Sequence, residues 1–447
     1  MKSSLILLAI LLAASAATRA QVVPATKGHA GLPVSGTLHY GLRYSETGQF
    51  GNGQDGQQRS FISGDASYSN TSKRLPFAMQ YGGGYGWVLT GPSSAGNVFQ
   101  HLTLSQGYIK RSWNLTASEN VSYTFETPTT GFSGVPGTGD PTVGSGSTSS
   151  STQTIIALNT RSLNNSTSLG LGHRLDHATS LSLGGTWGQM RFIDGNGQDM
   201  NTETATAGIT RRLSARNSLS GQYAFSSYDY GNTGTSTQTN SGQFSLSRKW
   251  SRRFTTSVAA GPVWVTSSGI SSTGAVVTPS TTMLSLNATA NYSLRRQGSA
   301  GVSYSHGTSG GSGYTLGSKE DNLSANYSRT FDKKLTVGVT GSYMRSTSLS
   351  AAEFSLACTV NGVTTTCLVP LNYTPVTNGK FGGVQASRGL GKTFSLFASY
   401  TAIDQSSSLQ VAVSNTSLSS NTNILNGLDH VVSFGFGYSP KDKRFKK

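Results

Sequence analysis

Residues 325–343 read ANYSRTFDKKLTVGVTGSY, and residues 290–304 read ANYSLRRQGSAGVSY. Each opens Ala-Asn-Tyr-Ser, crosses a few cations and resumes with an apolar residue at every second position. In the first, Leu335, Val337, Val339, Gly341 and Tyr343 alternate with Thr336, Gly338, Thr340 and Ser342. A period of two gives a β-strand two chemically different faces. Each stretch therefore reads as strand, basic turn, strand.

The alternation recurs along the chain. It runs through Phe77, Met79, Tyr81, Tyr85, Trp87 and Leu89, from Trp113 to Phe125, and through Leu219, Gly221, Tyr223 and Phe225. It returns at Leu284, Leu286, Ala288 and Tyr292, and again at Phe394, Leu396, Ala398 and Tyr400. No comparable stretch carries a helical stripe, and no apolar run past the N-terminus is long enough for a helical span. The pattern predicts an all-β chain of about eighteen strands. They fall at 34–45, 60–70, 76–90, 98–109, 113–126, 164–174, 178–193, 201–213 and 217–230, then at 238–250, 253–267, 281–295, 298–308, 319–331, 334–348, 378–390, 393–404 and 427–438. Short basic connections alternate with longer ones rich in Gly, Ser, Thr and Asn. That asymmetry predicts a single transmembrane antiparallel up-and-down β-barrel with short periplasmic turns and long extracellular loops.

Parity supplies a check. One lipid face requires the apolar positions on both arms of a hairpin to point the same way. Around most short turns they keep the same parity, as with Tyr327 and Val339, which implies an odd turn. The turns around Lys73 and Lys110 change parity and need an even turn or a bulge. Glu119 sits on the apolar parity of its strand, between Ala117 and Val121, so a bulge turning it inward is expected. A soluble β-sandwich also alternates, but it rarely writes so many long strands with short turns on one side only.

The 34 Lys and Arg outnumber the 18 Asp and Glu, for a formal charge of +16. Most cations sit in the short turns and the tail, where they can snorkel to anionic headgroups. Most acids sit near the long loops, where an acidic rim could hold the divalent cations that bridge lipopolysaccharide. With the cations scattered over many turns, and neither a groove nor a recognition helix, nucleic acid is not expected as a partner. Residues 1–20 read as a signal peptide: Lys2, an apolar run from Leu5 to Ala14, and Thr18-Arg19-Ala20 before the cut. A short segment (21–33), the barrel (34–440) and a basic tail (441–447) follow.

The signal peptide, the alternating strands and the closing HVVSFGFGYSP resemble Gram-negative outer-membrane β-barrel proteins, porin-like, with no specific subfamily. The resemblance implies that Phe434, Phe436 and Tyr438 form the signal read by the barrel-assembly machinery. The tail KDKRFKK departs from that pattern, since such barrels usually end on the aromatic residue.

Other motifs carry less. YGGGYG at 81–86 imitates a nucleotide loop but lies inside a strand and opens no helix; it reads as small residues on the lumen face. His173 and His177 have metal-helix spacing in a strand-and-turn segment. Asp194, Asn196 and Asp199 offer calcium-loop spacing without a distal Glu, and a plain loop is the simpler reading. Cys358 and Cys367 flank the turn signal Asn361-Gly362 and are expected to form a loop disulfide. No cofactor is expected. The seven His share no local constellation with an acid, so an enzyme is not expected either. The short N-terminal segment is too small for a transporter plug.

What remains is a pore or a scaffold. The inward positions are mainly Ser, Thr, Gly, Asn and Gln, which predicts a wet, nearly neutral lumen. The leading reading is a porin-like passive channel for small polar solutes. The alternative is a non-enzymatic component of polysaccharide export or secretion, or an envelope scaffold. The loop from Thr127 to about Leu163 is a candidate constriction, since porins similarly fold the loop after their fifth strand inward; a loop lying outside the membrane is the equal alternative, and residues 153–163 could instead extend the sixth strand.

Overall fold

The computed structural model describes residues 36–51, 54–70, 72–90, 97–126, 160–193, 199–231, 235–270, 276–277, 280–294, 297–309, 317–332, 334–349, 353–360, 363–370, 376–407, 427–441 and 443–445. The strands begin β1 (Gly36–Gly51), β2 (Gln54–Asn70), β3 (Phe77–Thr90), β4 (Asn97–Lys110), β5 (Trp113–Glu126), β6 (Thr160–Arg174) and β7 (Thr179–Phe192). Next come β8 (Met200–Arg212), β9 (Asn217–Tyr230), β10 (Thr235–Lys249), β11 (Phe254–Ile270), β12 (Val276–Val277), β13 (Ser280–Leu294), β14 (Gly298–Ser309) and β15 (Ser318–Phe331). The series ends with β16 (Leu335–Ser348), β17 (Glu353–Val360), β18 (Val363–Pro370), β19 (Val376–Leu390), β20 (Phe394–Ser407), β21 (Gly427–Tyr438) and β22 (Lys443–Phe445).

Eighteen of these form a closed antiparallel up-and-down barrel. The other four are short additions: β12 on the end of β11, the separate hairpin β17–β18, and β22. Each barrel strand pairs with its neighbours, and β21 closes on β1 from Leu42↔Tyr438 to Gly51↔Asp429. Following the pairing once around from Leu42 returns to β1 about 22 residues further on, the stagger that closure demands. Eighteen strands with that stagger tilt by about 40° and enclose a Cα radius of roughly 17 Å.

The outer face is apolar and exposed. Phe244 is 72% exposed, and Leu42, Leu169 and Leu284 nearly as much. In water such a surface would be costly, whereas against lipid it is the driving surface. Aromatic rings mark its lower edge at Tyr108, Trp113, Trp250, Phe331, Phe394 and Tyr438, and its upper edge at Trp187, Trp264, Tyr343 and Tyr400. On β16, Leu335 and Tyr343 stand eight positions apart, roughly 21 Å along the tilted strand's rise and close to the ~25 Å band of such barrels. Outward cations lie against the lower ring: Arg248 sits 4.0 Å above Trp250 and Arg329 5.0 Å above Phe331.

The parity reading holds in the register. Asn70 pairs with Phe77 and Lys110 with Trp113, so the two exceptional turns are even, with no bulge at either. The other short turns are odd, as at Phe331↔Leu335. Glu119 corrects the expectation. Its pairings with Leu104 and Thr167 belong to unbroken registers, so it stays on the outer face, where Thr167 Oγ1 donates to its Oε2 at 2.5 Å. A local hydroxyl has done what a bulge was expected to do.

Several strands outgrow their sequence pattern. The stretch 46–59, expected as a loop, is paired through to Gly51↔Gln54, because strands above the membrane have no lipid face to write an alternation. β6 starts at Thr160, and β20 runs to Ser407. The basic tail is not free either. After Pro440 it resumes pairing, Lys443↔Leu38 to Phe445↔Gly36, and lengthens the closing seam.

Candidate functional site: the lumen wall

The lumen wall is built by the residues that alternate with the lipid-facing ones. Above its periplasmic end, the wall of β5–β9 is open and neutral. Asn114, Thr116, Ser180, Ser182, Thr186, Thr210 and Gln222 all point inward and are exposed, while their lipid-facing neighbours Leu115, Leu183 and Ile209 are exposed on the other side. A one-strand-thick wall exposed on both faces separates lipid from water. Its hydroxyls bond across strands: Ser118 to Ser168 at 2.6 Å, Thr204 to Ser226 at 3.3 Å, and Ser182 to the Gly208 carbonyl at 3.3 Å. These contacts satisfy the wall without removing its ability to bond a passing polar solute.

The opposite wall is covered at its extracellular half. Val263 and Val265 of β11 point inward and are 3% exposed, and Ser309, Ser318, Ser346 and Thr377 are also buried. Tyr230, at the end of β9, is fully buried and hydrogen-bonded to the Gly317 backbone and the Thr237 side chain. Three strands stand between β10 and β15, which an undistorted wall would hold roughly 20 Å apart. Gly317 nevertheless approaches Thr237 so closely that a Cβ would touch it, and φ +70° there suits glycine. The upper ends of β14 and β15 therefore lean over the lumen to meet β9 and β10. Glu320 ties the tops of β14 and β15 together: its Oε1 accepts from Ser309 at 2.5 Å and Ser318 at 2.9 Å.

The lumen is less neutral than its composition predicts. Arg43 Nη2 and His39 Nε2 lie 3.5 and 3.6 Å from the carboxylate oxygens of Asp65, on the inner face of β1–β2. Arg174, Arg212 and Lys249 point inward at the ends of β6, β8 and β10, and all three are exposed. Two inward aromatic residues account for two of the glycines in 81–86. A Cβ at Gly84 would strike the Phe99 ring and one at Gly86 the Phe61 ring, so the glycines make room for neighbouring rings.

The remaining motifs separate. His173 faces outward and stacks on Trp113 at 3.9 Å, well apart in role from His177 in the turn. Among the described residues no group of three or more His, Cys, Asp or Glu could hold a metal. Asp199 closes its loop, with Oδ1 accepting from the Phe192 amide at 2.9 Å and Oδ2 3.8 Å from Arg191. Asp194 and Asn196 lie outside the described residues, as does 127–159, most of the candidate constriction. In β17–β18 the register sets Cys358 opposite Thr365 and Cys367 opposite Leu356. One constellation was invisible in the sequence. His306 Nδ1 bonds Asp321 Oδ1 at 2.7 Å and Tyr304 donates to the same oxygen at 2.9 Å, on the outer face near the extracellular end. Only the β14–β15 register brings these residues together. Phe434, Phe436 and Tyr438 alternate along the lipid face of β21, where all three are exposed.

The fold and its two-faced wall define a closed antiparallel up-and-down β-barrel of eighteen strands, apolar outside and polar within. No protein-family model matches the chain, and no curated protein matches it. Solved structures similar to it include Pseudomonas aeruginosa OpdL, at 11% identity and a TM-score of 0.40, covering 92% of this chain and 99% of that one. Another is Acinetobacter baumannii OccAB4, at 12% identity and 0.43, covering 92% and 98%. The unliganded ferric citrate transporter FecA is similar at 11% and 0.42, over 82% of this chain and 60% of that one.

Proposed function

We propose that the protein is a porin-like passive channel of the outer membrane for small polar solutes. The observation that carries this is the wall of β5–β9, apolar and exposed outside, hydroxyl-lined and exposed inside. A barrel of this strand number is wide enough for water, and a neutral hydroxyl surface exchanges hydrogen bonds with a solute at little net cost. In this reading the N-terminal residues 1–20 are an export signal, and the aromatic face of β21 is presented to the assembly machinery. The outer face meets lipid and lipopolysaccharide.

Refolded protein in a planar bilayer should show discrete conductance steps. Silence at every voltage would favour the export-component or scaffold reading. Deleting Gly134–Ser150 should raise single-channel conductance clearly if the loop after β5 narrows the lumen; unchanged conductance would place it outside the conducting path.

A further inference from the structure

Three successive periplasmic turns repeat one construction. They read RLDHATS (174–180), RLSARNS (212–218) and KWSRRFT (249–255). In each a basic residue makes the last strand pair, as Arg174↔Ser180, Arg212↔Ser218 and Lys249↔Thr255. In each the third side chain caps two amides. Asp176 accepts from Ala178 and Thr179 at 2.6 Å each, Ser214 from Arg216 and Asn217 at 3.1 and 3.0 Å, and Ser251 from Arg253 and Phe254 at 3.2 and 3.1 Å. The second residue's amide bonds the sixth residue's carbonyl at 3.0 Å in all three.

This shared geometry fixes the phase of what precedes it. Leu175, Leu213 and Trp250 fall on the membrane side and are exposed there, so Arg174, Arg212 and Lys249 fall on the lumen side. Along β6–β11 every other inward-facing side chain among the described residues is uncharged. Alternate strands stand on the order of 10 Å apart, about one Debye length at 0.1 M salt, so the three fields overlap. The arc lies at the foot of the open neutral wall, on the route any solute following that wall must take.

We propose that Arg174, Arg212 and Lys249 form a cationic filter at the periplasmic mouth that makes the channel select small anions. This rests on the channel reading above. Rings of Arg and Lys favour anions by replacing part of the hydration that a confined anion loses. The adjacent Arg211 and Arg248 provide an internal control, because they face the membrane, with Arg248 held over Trp250.

The test is the reversal potential of refolded protein across a potassium chloride gradient. Chloride should be favoured over potassium by roughly two- to threefold near 0.1 M salt, and the preference should fade toward 1 M as the Debye length shrinks to about 3 Å. The R174Q/R212Q/K249Q variant should bring the ratio close to unity, and R211Q/R248Q should keep it. A conducting wild type with no chloride preference overturns the filter and leaves the channel standing. So does a preference indifferent to salt, a measurement that needs no variant to fold, or one that the triple variant retains. A silent wild type overturns the channel reading beneath both.

Discussion

Glu119 is the residue whose position most needs an explanation. It stands six positions up β5 from Trp113, roughly 16 Å into the apolar band, and faces lipid. A carboxyl there is costly, less so than a cation but still unfavourable. The Thr167 hydroxyl offsets part of that cost by donating to Oε2. Removing the carboxyl and removing its partner should therefore have opposite effects. Glu119→Leu should raise stability in lipid vesicles by about 1–2 kcal/mol, and Thr167→Val should lower it by about 1 kcal/mol. Urea midpoints of the vesicle-bound protein check both, and a destabilised leucine variant would mean that the carboxyl has a partner of greater worth than lipid. The sequence marks Glu119 as anomalous by parity alone. It cannot mark the remedy, because Thr167 is brought alongside by a pairing across 48 positions.

At the level of the turn, one geometry is capped by a carboxylate once and by a hydroxyl twice. The amides of Ala178 and Thr179 hold the Asp176 carboxyl below the ordinary Asp range. Its folded value lies under its unfolded one, so its contribution is present above the unfolded value and is lost as pH falls through the folded one. Ser214 and Ser251 have nothing to titrate in this range. Acidifying below about pH 4 should therefore loosen the 175–178 turn, seen as lost amide-exchange protection at Ala178 and Thr179. The matching amides of Asn217 and Phe254 should be unchanged, and parallel loss at all three turns would rule the carboxylate out as the cause. The turns' odd and even lengths are legible from parity. Their common cap is not, since Asp and Ser look unalike until the register sets them at the same place.

Over the whole molecule, what the sequence shows is what lipid selects. Strand number, turn side and facing follow from alternation inside the membrane, where a wrong residue is expensive. Where strands rise into water the selection lapses, and the paired segment around 46–59 leaves no trace in the pattern. The lumen charges escape for a related reason, since a lone Arg among Ser and Thr breaks no alternation. The fold-over at Gly317 depends on a meeting of distant strands that no local pattern records. The seam formed by β1 with β21 and β22 has a kinetic consequence. It joins Gly36 to Phe445, nearly the full chain length, and closing an unordered loop that long costs about 5 kcal/mol of entropy. Once neighbouring hairpins have zipped, only a narrow gap is left to span, so ring closure comes last. Until then two unpaired edges face hydrocarbon, where each unbonded backbone group is penalised heavily. Partly inserted forms should thus be too scarce to observe. A chain ending before Gly427 should give no detergent-resistant compact band on an unheated gel, and a stable band from such a chain would show that the sheet tolerates being open.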